Sequence, residues 1–244
     1  VHESCGHPIE LDRVFGTESS FAGTSFLTTD KLGRFRYGSD LVNITADATL
    51  PGGFGSFFYD DDGVPAQRVD IVKEGIFSGY LSSRETAAQL GELIPELSPR
   101  DEELRSGGAM RADGWDRIPL IRMTNINLLP GDWTLDELIA DTPDGIYAAM
   151  VKSWSIDDKR LNFQFGTEAA WQIKDGALGQ IYKNPIYNDM TPRFWGSCDA
   201  VCGENEWHLW GLPNCGKGEP MQVAHVGHGV APARFRAVRM EGAK

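Results

Sequence analysis

The sequence predicts an α+β domain, strand-rich and built mainly of antiparallel sheet with a few short helices. Three observations lead there. Twenty-eight glycines and thirteen prolines punctuate the 244 residues, so long unbroken elements are rare. Apolar residues alternate with polar ones over short stretches, which is the period of a strand. Two stretches also share one layout: a short apolar run, then Lys-Glu-Gly or Lys-Asp-Gly, then a second run, as in a tight hairpin.

Along the chain, Val42, Ile44, Ala46 and Ala48 alternate with polar residues until Pro51-Gly52-Gly53, and predict a half-buried strand. Asp60-Asp61-Asp62-Gly63 is out of register for a calcium loop and reads as a hairpin turn. In the first hairpin, over residues 67–82, Val69, Ile71 and Val72 lead into Lys73-Glu74-Gly75, and Ile76, Phe77, Tyr80 and Leu81 follow. Residues 84–93 have helical composition. Residues 94–117 are polar, are broken by Pro95, Pro99 and Gly107-Gly108, and read as a surface loop. Strand character returns over 119–129, around Ile121 to Asn125. Thr134-Leu135-Asp136-Glu137 is a capping box that opens a short helix through Ile139. The second hairpin carries Trp171, Ile173, Lys174-Asp175-Gly176, Leu178 and Tyr182.

Composition excludes several functions. With 35 acidic against 23 basic residues the formal charge is −12, and the cations are scattered, which argues against a nucleic-acid-binding face. No apolar run approaches the roughly 18 residues of a membrane span, and no signal-peptide pattern opens the chain. Four cysteines are too sparse for a disulfide scaffold. A soluble, cytoplasmic protein with thiols free for metal is the expectation. The length suits one large domain or two small ones, and no strong linker divides it.

The chemistry concentrates at the start, where His2-Glu3-Ser4-Cys5-Gly6-His7 sets two imidazoles around a carboxylate. Zinc hydrolases need neutral imidazole ligands, an open position for water and a carboxylate to take its proton. The plain alternative is two surface histidines. In a regular helix, residues five apart lie roughly 140° around the axis, too far to share one ion. Two histidines with this spacing therefore predict a distorted turn at Cys5-Gly6-His7, either a π-type bulge or a loosening at Gly6. Pro8 offers no N–H and biases His7 away from helical dihedrals. Only Val1 precedes His2, although a helix presenting a ligand needs a turn before it, so the chain is expected to continue upstream in a longer protein.

Further ligand candidates sit near the other end: Cys198, Cys202, His208, Cys215, His225 and His228. Cys198 and Cys202 also suit small buried hydrophobes. His208, between Trp207 and Trp210, reads as a packed histidine, and His225 and His228 as surface or packing residues. Cys215 differs because it stands in a glycine-rich stretch read as a turn, with Lys217 nearby to keep a thiolate ionised. It suits a third ligand, leaving the fourth position for water.

The opening motif, followed by Glu10-Leu11-Asp12, resembles the H-E-x-x-G-H-x-x-E-x-D signature of the TldD/PmbA family of metallopeptidases. The likeness continues in order through Leu50 to Ser56, Asp60 to Arg68, Arg122 to Asn125 and Asn214 to Gly218. It implies a zinc peptidase with one zinc per chain, His2, His7 and Cys215 as ligands and Glu3 as general base. TldD-like subunits keep the motif whereas PmbA/TldE-like partners lack it, so the resemblance implies an active subunit, dimeric with such a partner or with a second copy. It also implies that residues 1–244 are a C-terminal metallopeptidase domain following a separate N-terminal one, acting on peptides or unfolded segments in maturation or turnover. Pro8 stands where the family pattern suggests a helix-compatible residue.

Glu10 and Asp12 are candidate acceptors behind the ligand imidazoles. Gly52, Gly53 and Phe54 suit either the approach of an extended peptide to a strand edge or a turn. Arg122 or a backbone N–H near Gly53 are candidates for stabilising an oxyanion. The competing reading is a non-catalytic scaffold subunit whose zinc is structural and held by Cys198, Cys202 and His208.

Overall fold

The computed structural model describes residues 1–97 and 105–242. Among these, every ladder is antiparallel. Parallel pairing occurs only as isolated bridges, Glu10 to Leu81, Asn125 to Gly227 and Trp133 to Cys202. The α+β expectation holds, with short helices between strands.

A four-stranded sheet carries the strands in the order Ile76–Phe77, Arg68–Lys73, Ile44–Asp47 and Ile126–Leu128. Beside its last strand lies the hairpin of His208–Lys217 and Gln222–Val230, joined through the Asn125 to Gly227 bridge. In the second sheet, Asn162–Lys174 pairs with Asp144–Ile156 on one side and with both Pro185–Met190 and Ala177–Lys183 on the other. Arg239–Gly242 completes it. Ile44, Ala46, Ile71, Phe77, Leu81, Ile126 and Leu128 pack with Ile9 and Leu11 into the core, so the opening segment is clamped onto the first sheet.

Both predicted hairpins form. Glu74 and Gly75 have φ of 48° and 74°, and Asp175 and Gly176 have 50° and 76°. Two successive positive φ values match the right-handed twist of flanking strands, and the glycine is needed at the second position. Gly75 is fixed for a further reason, since a Cβ there would lie 2.4 Å from the Gly38 carbonyl oxygen. The helix Arg84–Leu93 is capped by Ser83 and Thr86. Leu135–Ala140 carries the predicted box, with Thr134 Oγ1 accepting from the Glu137 N–H and Glu137 accepting from the Thr134 N–H.

Three expectations change. Ile44–Asp47 is buried at all four positions, because it is a central strand covered on both faces. Residues 94–117 are not simply a surface loop: Met110–Arg111 pairs with Leu120–Ile121, and Ser106 and Ala109 are buried. Residues 98–104 of that stretch lie outside the described residues. Between Leu120–Ile121 and Ile126–Leu128 the chain leaves regular strand, while Arg122 to Asn125 remain buried. Asp60 closes its turn by accepting from the Asp62 and Val64 N–H groups at 3.0 and 2.8 Å and from Met110 N–H at 3.0 Å, leaving nothing of a calcium loop. No helix among the described residues is long and apolar enough to cross a membrane. All four cysteines are free thiols.

Candidate metal centre

The opening residues fold as a single π-helical turn, His2–Gly6, followed by a 3-10 turn, His7–Ile9. The Val1 carbonyl accepts from Cys5 N–H at 3.0 Å and from Gly6 N–H at 3.1 Å. The second bond spans five residues and adds one residue to the turn, so positions five apart come onto one face. Of the two distortions the spacing allowed, the π turn is the one adopted. Gly6 is required by close approach, because a Cβ there would sit 2.0 Å from the buried Met123 sulfur. Against the bias of a following proline, His7 keeps helical dihedrals (φ −66°, ψ −38°); Pro8 lies in the first turn of the 3-10 helix, where no N–H is needed.

The motif divides its side chains between two directions. Ser4 and Cys5 face the core, where Trp195 Nε1 donates to Ser4 Oγ at 3.0 Å, Tyr37 donates to the Ser4 carbonyl at 2.5 Å, and Cys5 Sγ lies 3.0 Å from the Tyr37 hydroxyl. His2 and His7 meet edge to face, with ring centroids 5.4 Å apart. Cys215 reaches them from the far end of the chain, its Sγ 3.7 Å from His7 Nε2. One ligand atom from each of His2, His7 and Cys215 lies within 4.8 Å of the others. Across a tetrahedral zinc, a nitrogen and a sulfur ligand stand about 3.6 Å apart, so the His7 to Cys215 span fits the ion that this donor set selects.

Cys215 sits within the strand His208–Lys217 rather than in a turn, beside a register shift between Leu212 and Cys215. Such an irregularity re-aims a side chain, which is what the expected turn would have done. Arg122 fixes the place: buried, it donates to the Cys215 carbonyl at 2.5 Å and to the Gln222 carbonyl at 3.2 Å, bracing both strands of the hairpin. It is therefore a brace and not an oxyanion donor.

Behind the imidazoles lies a polar network. His7 Nδ1 faces Glu10 Oε2 at 3.2 Å, and an imidazole that donates there leaves Nε2 bare toward Cys215. Burial opposes an imidazolium at His7, but Cys215 and Glu10 outweigh it and push it up to about 9. His2 runs the other way, pulled down to about 2 by burial first and by His7 and His228 next. Asp12 does not reach an imidazole. It accepts from Lys217 Nζ at 2.9 Å, and Lys217 also meets Glu10 Oε2 at 3.2 Å and Glu18 Oε2 at 3.1 Å. Lys217 thus answers three buried carboxylates, a task that its position two residues from Cys215 did not suggest. Burial opposes ionisation at Glu10, yet Lys217 and His7 hold it down to about 2. At Asp12 burial prevails over Lys217 and pushes the carboxyl up to about 6, with Glu10 and Glu18 adding to the rise. One ammonium cannot balance three acids equally.

Other candidates separate. Cys198 Sγ points to the Ala200 carbonyl within its own strand, and His208 is exposed with its ring against Trp210 at 6.3 Å rather than packed between tryptophans. Among the described residues, Cys198, Cys202 and His208 do not form a set within reach of one ion. His225 is exposed beside Phe54, at 5.9 Å between rings. Gly52 and Gly53 lie in a turn, where Gly52 has φ 75° and a Cβ on Gly53 would meet Asn125 Oδ1 at 2.6 Å. Gly53 is thereby explained by packing. Phe54 is half exposed and covers Gly211. His228, read as surface or packing, stands instead against the site, its Nε2 2.7 Å from His2 Nδ1. The flanking glycines in Gly227-His228-Gly229 were the available signal, since glycine inside a strand marks close backbone approach.

A family model described as the PmbA/TldA metallopeptidase C-terminal domain matches residues 1–242. A metalloprotease of Methanocaldococcus jannaschii is 38% identical over 228 residues, covering 93% of this chain and 45% of that protein. The metalloprotease TldD homolog of Haemophilus influenzae is 30% identical over 217 residues, covering 89% of this chain and 41% of its own length. The chain spans about half the length of the curated relatives it matches. The crystal structure of TldE from Thermococcus kodakarensis shares the fold, with a TM-score of 0.72 at 15% identity over 99% of this chain and 47% of that one. With the family model covering nearly the whole chain, this protein belongs to the PmbA/TldD metallopeptidase family.

Proposed function

We propose that this chain is the catalytic region of a zinc peptidase that cleaves peptide bonds in peptides or unfolded segments, with His2, His7 and Cys215 as the metal ligands. The observation that carries the reading is the convergence of those three ligand atoms within 4.8 Å, from opposite ends of the sequence. Two imidazoles and a thiolate suit zinc, which when bound supplies Lewis acidity toward a carbonyl oxygen and acidifies water toward a pKa of about 7.

The chain's own residues supply the rest. Glu3 Oε1 lies 3.8 Å from His2 Nε2 and its Oε2 4.0 Å from Arg160 Nη1, and the carboxylate is partly exposed, unlike the fully buried Glu10. Glu3 is thus the carboxylate that stands beside His2 and stays open to entering water. It takes the proton of the attacking water and passes it to the leaving amine. Glu10 orients His7 by accepting from Nδ1. Phe54, half exposed beside the hairpin that carries Cys215, offers an apolar contact to a substrate side chain. The active assembly is a dimer with a PmbA/TldE-like subunit or with a second copy, and these residues follow a separate N-terminal domain.

Elemental analysis of the intact protein tests the ligand set. One zinc per chain, lost in both His2→Ala and Cys215→Ala, is the expected result, and zinc kept in both sinks the reading. Glu3→Gln with the partner subunit present should keep zinc and lose peptide cleavage; cleavage that persists removes Glu3 as the base.

A further inference from the structure

His228 is the residue at this centre to which neither the motif nor the ligand set gives a task. Its ring is held at both nitrogens: Nδ1 lies 3.3 Å from the Ile126 carbonyl oxygen, and Nε2 lies 2.7 Å from His2 Nδ1. A carbonyl oxygen only accepts, so the proton on that side belongs to His228 Nδ1. A neutral imidazole with its proton on Nδ1 has a bare Nε2, which then accepts from His2 Nδ1–H. His2 is in turn left with a bare Nε2, the state a metal ligand requires.

We infer that His228 is a positioning residue that fixes the tautomer and ring orientation of His2 through a relay from the Ile126 carbonyl, without itself binding the metal. The inference rests on the zinc reading above. The rings meet near-perpendicular, at 89° with centroids 4.8 Å apart, so they are not stacked and touch through the two nitrogens 2.7 Å apart.

The backbone around His228 is arranged for this. A Cβ on Gly227 would lie 2.0 Å from Asn125 Oδ1, and one on Gly229 would lie 1.8 Å from Trp207. Gly229 N–H donates to Asn127 Oδ1 at 2.8 Å. Two glycines therefore let Gln222–Val230 close onto the neighbouring strand, bringing His228 Nδ1 to the Ile126 carbonyl. The two ligand imidazoles also acquire different supports. His7 leans on a carboxylate, Glu10, whereas His2 leans on a neutral ring, which orients it without adding negative charge beside Glu10 and the Cys215 thiol.

The test uses zinc affinity and ring-nitrogen NMR on the intact protein. His228→Phe keeps a ring and removes the acceptor, whereas His228→Gln places an amide oxygen near the position of Nε2. Zinc affinity, measured by competition with a chelator, should fall about 10- to 100-fold in His228→Phe and stay near the parent in His228→Gln. Equal affinity in all three, or equal loss in both variants, overturns the inference. Long-range 1H–15N spectra of the metal-free parent should show His228 and His2 both protonated at Nδ1. The opposite tautomer at either ring overturns the relay even if His228→Phe does not fold. A parent that binds no zinc but shows both expected tautomers retires the zinc reading and leaves the relay standing.

Discussion

Lys217→Met is the most revealing single substitution, because the sequence and the structure assign this lysine different work. Its ammonium is fully buried between Glu10, Asp12 and Glu18, at 3.2, 2.9 and 3.1 Å. At an effective dielectric constant of about 20, each such pair is worth roughly 5 kcal/mol before desolvation. The net loss on removing one partner of a buried pair is about 3–5 kcal/mol. Three carboxylates lose their cation together, and the positive groups left against the cluster are Arg13, whose Nε is 3.9 Å from Glu18, and His7 and Arg122 beside Glu10. The upper part of that range is therefore expected near pH 7, a large share of the roughly 5–15 kcal/mol that holds a domain folded.

The loss should depend on pH with a definite sign. Without Lys217, Asp12 loses the cation that limits its rise and Glu10 keeps only His7 and Arg122 against burial, so the folded-state pKa values of both carboxyls move up. A raised carboxyl pKa gives stability that is present below the unfolded value and lost as pH rises through the folded one. Urea unfolding should therefore show the gap between parent and Lys217→Met narrowing from about pH 7 to about pH 4.5. In the parent, Glu10 is held down to about 2, so its contribution is present above its ordinary value and fades as pH falls through about 2. Asp12, pushed up to about 6, works oppositely, favouring the fold below its ordinary value and losing that contribution as pH rises through about 6. Had Lys217 served mainly to ionise Cys215, the substitution would slow alkylation of that thiol and leave stability nearly untouched. A loss under about 1 kcal/mol, or one that does not change with pH, refutes the cluster argument.

Cys5→Ala should keep a full complement of zinc by elemental analysis and cost only about 1 kcal/mol in urea, since the Cys5 thiol faces Tyr37 and not the ligands. Gly227→Ala, with its new methyl 2.0 Å from Asn125 Oδ1, should lower the urea stability by about 1–3 kcal/mol and weaken zinc binding as His228 is displaced. Phe54→Ala should raise KM for a peptide with little change in kcat or melting temperature; an unchanged KM would remove Phe54 from the substrate path.

What could be read in advance follows from how local each feature is. The hairpin turns at Glu74-Gly75 and Asp175-Gly176 and the box at Thr134 to Glu137 are encoded by the residues that form them, so sequence reading located all three. The π turn was legible as one of two alternatives because a five-residue spacing of ligands has few geometric solutions. Long-range partners were not legible. Pro213-Asn214-Cys215-Gly216 has the composition of a turn, yet pairing with Gln222–Val230 and the two bonds from Arg122 hold it as a bulged strand. Lys217, two residues from Cys215 and on the same face of the strand, looks like its electrostatic partner, but a lysine stem carries the charge past its neighbour to acids near the other end of the chain. His228 shows the same limit from the other side. Its H-x-x-H context carries no ligand geometry, and only the glycines around it mark a strand drawn close to another. A histidine between two glycines inside a strand is better read as one whose backbone has been brought close to a neighbour so that its ring can work there than as a surface residue.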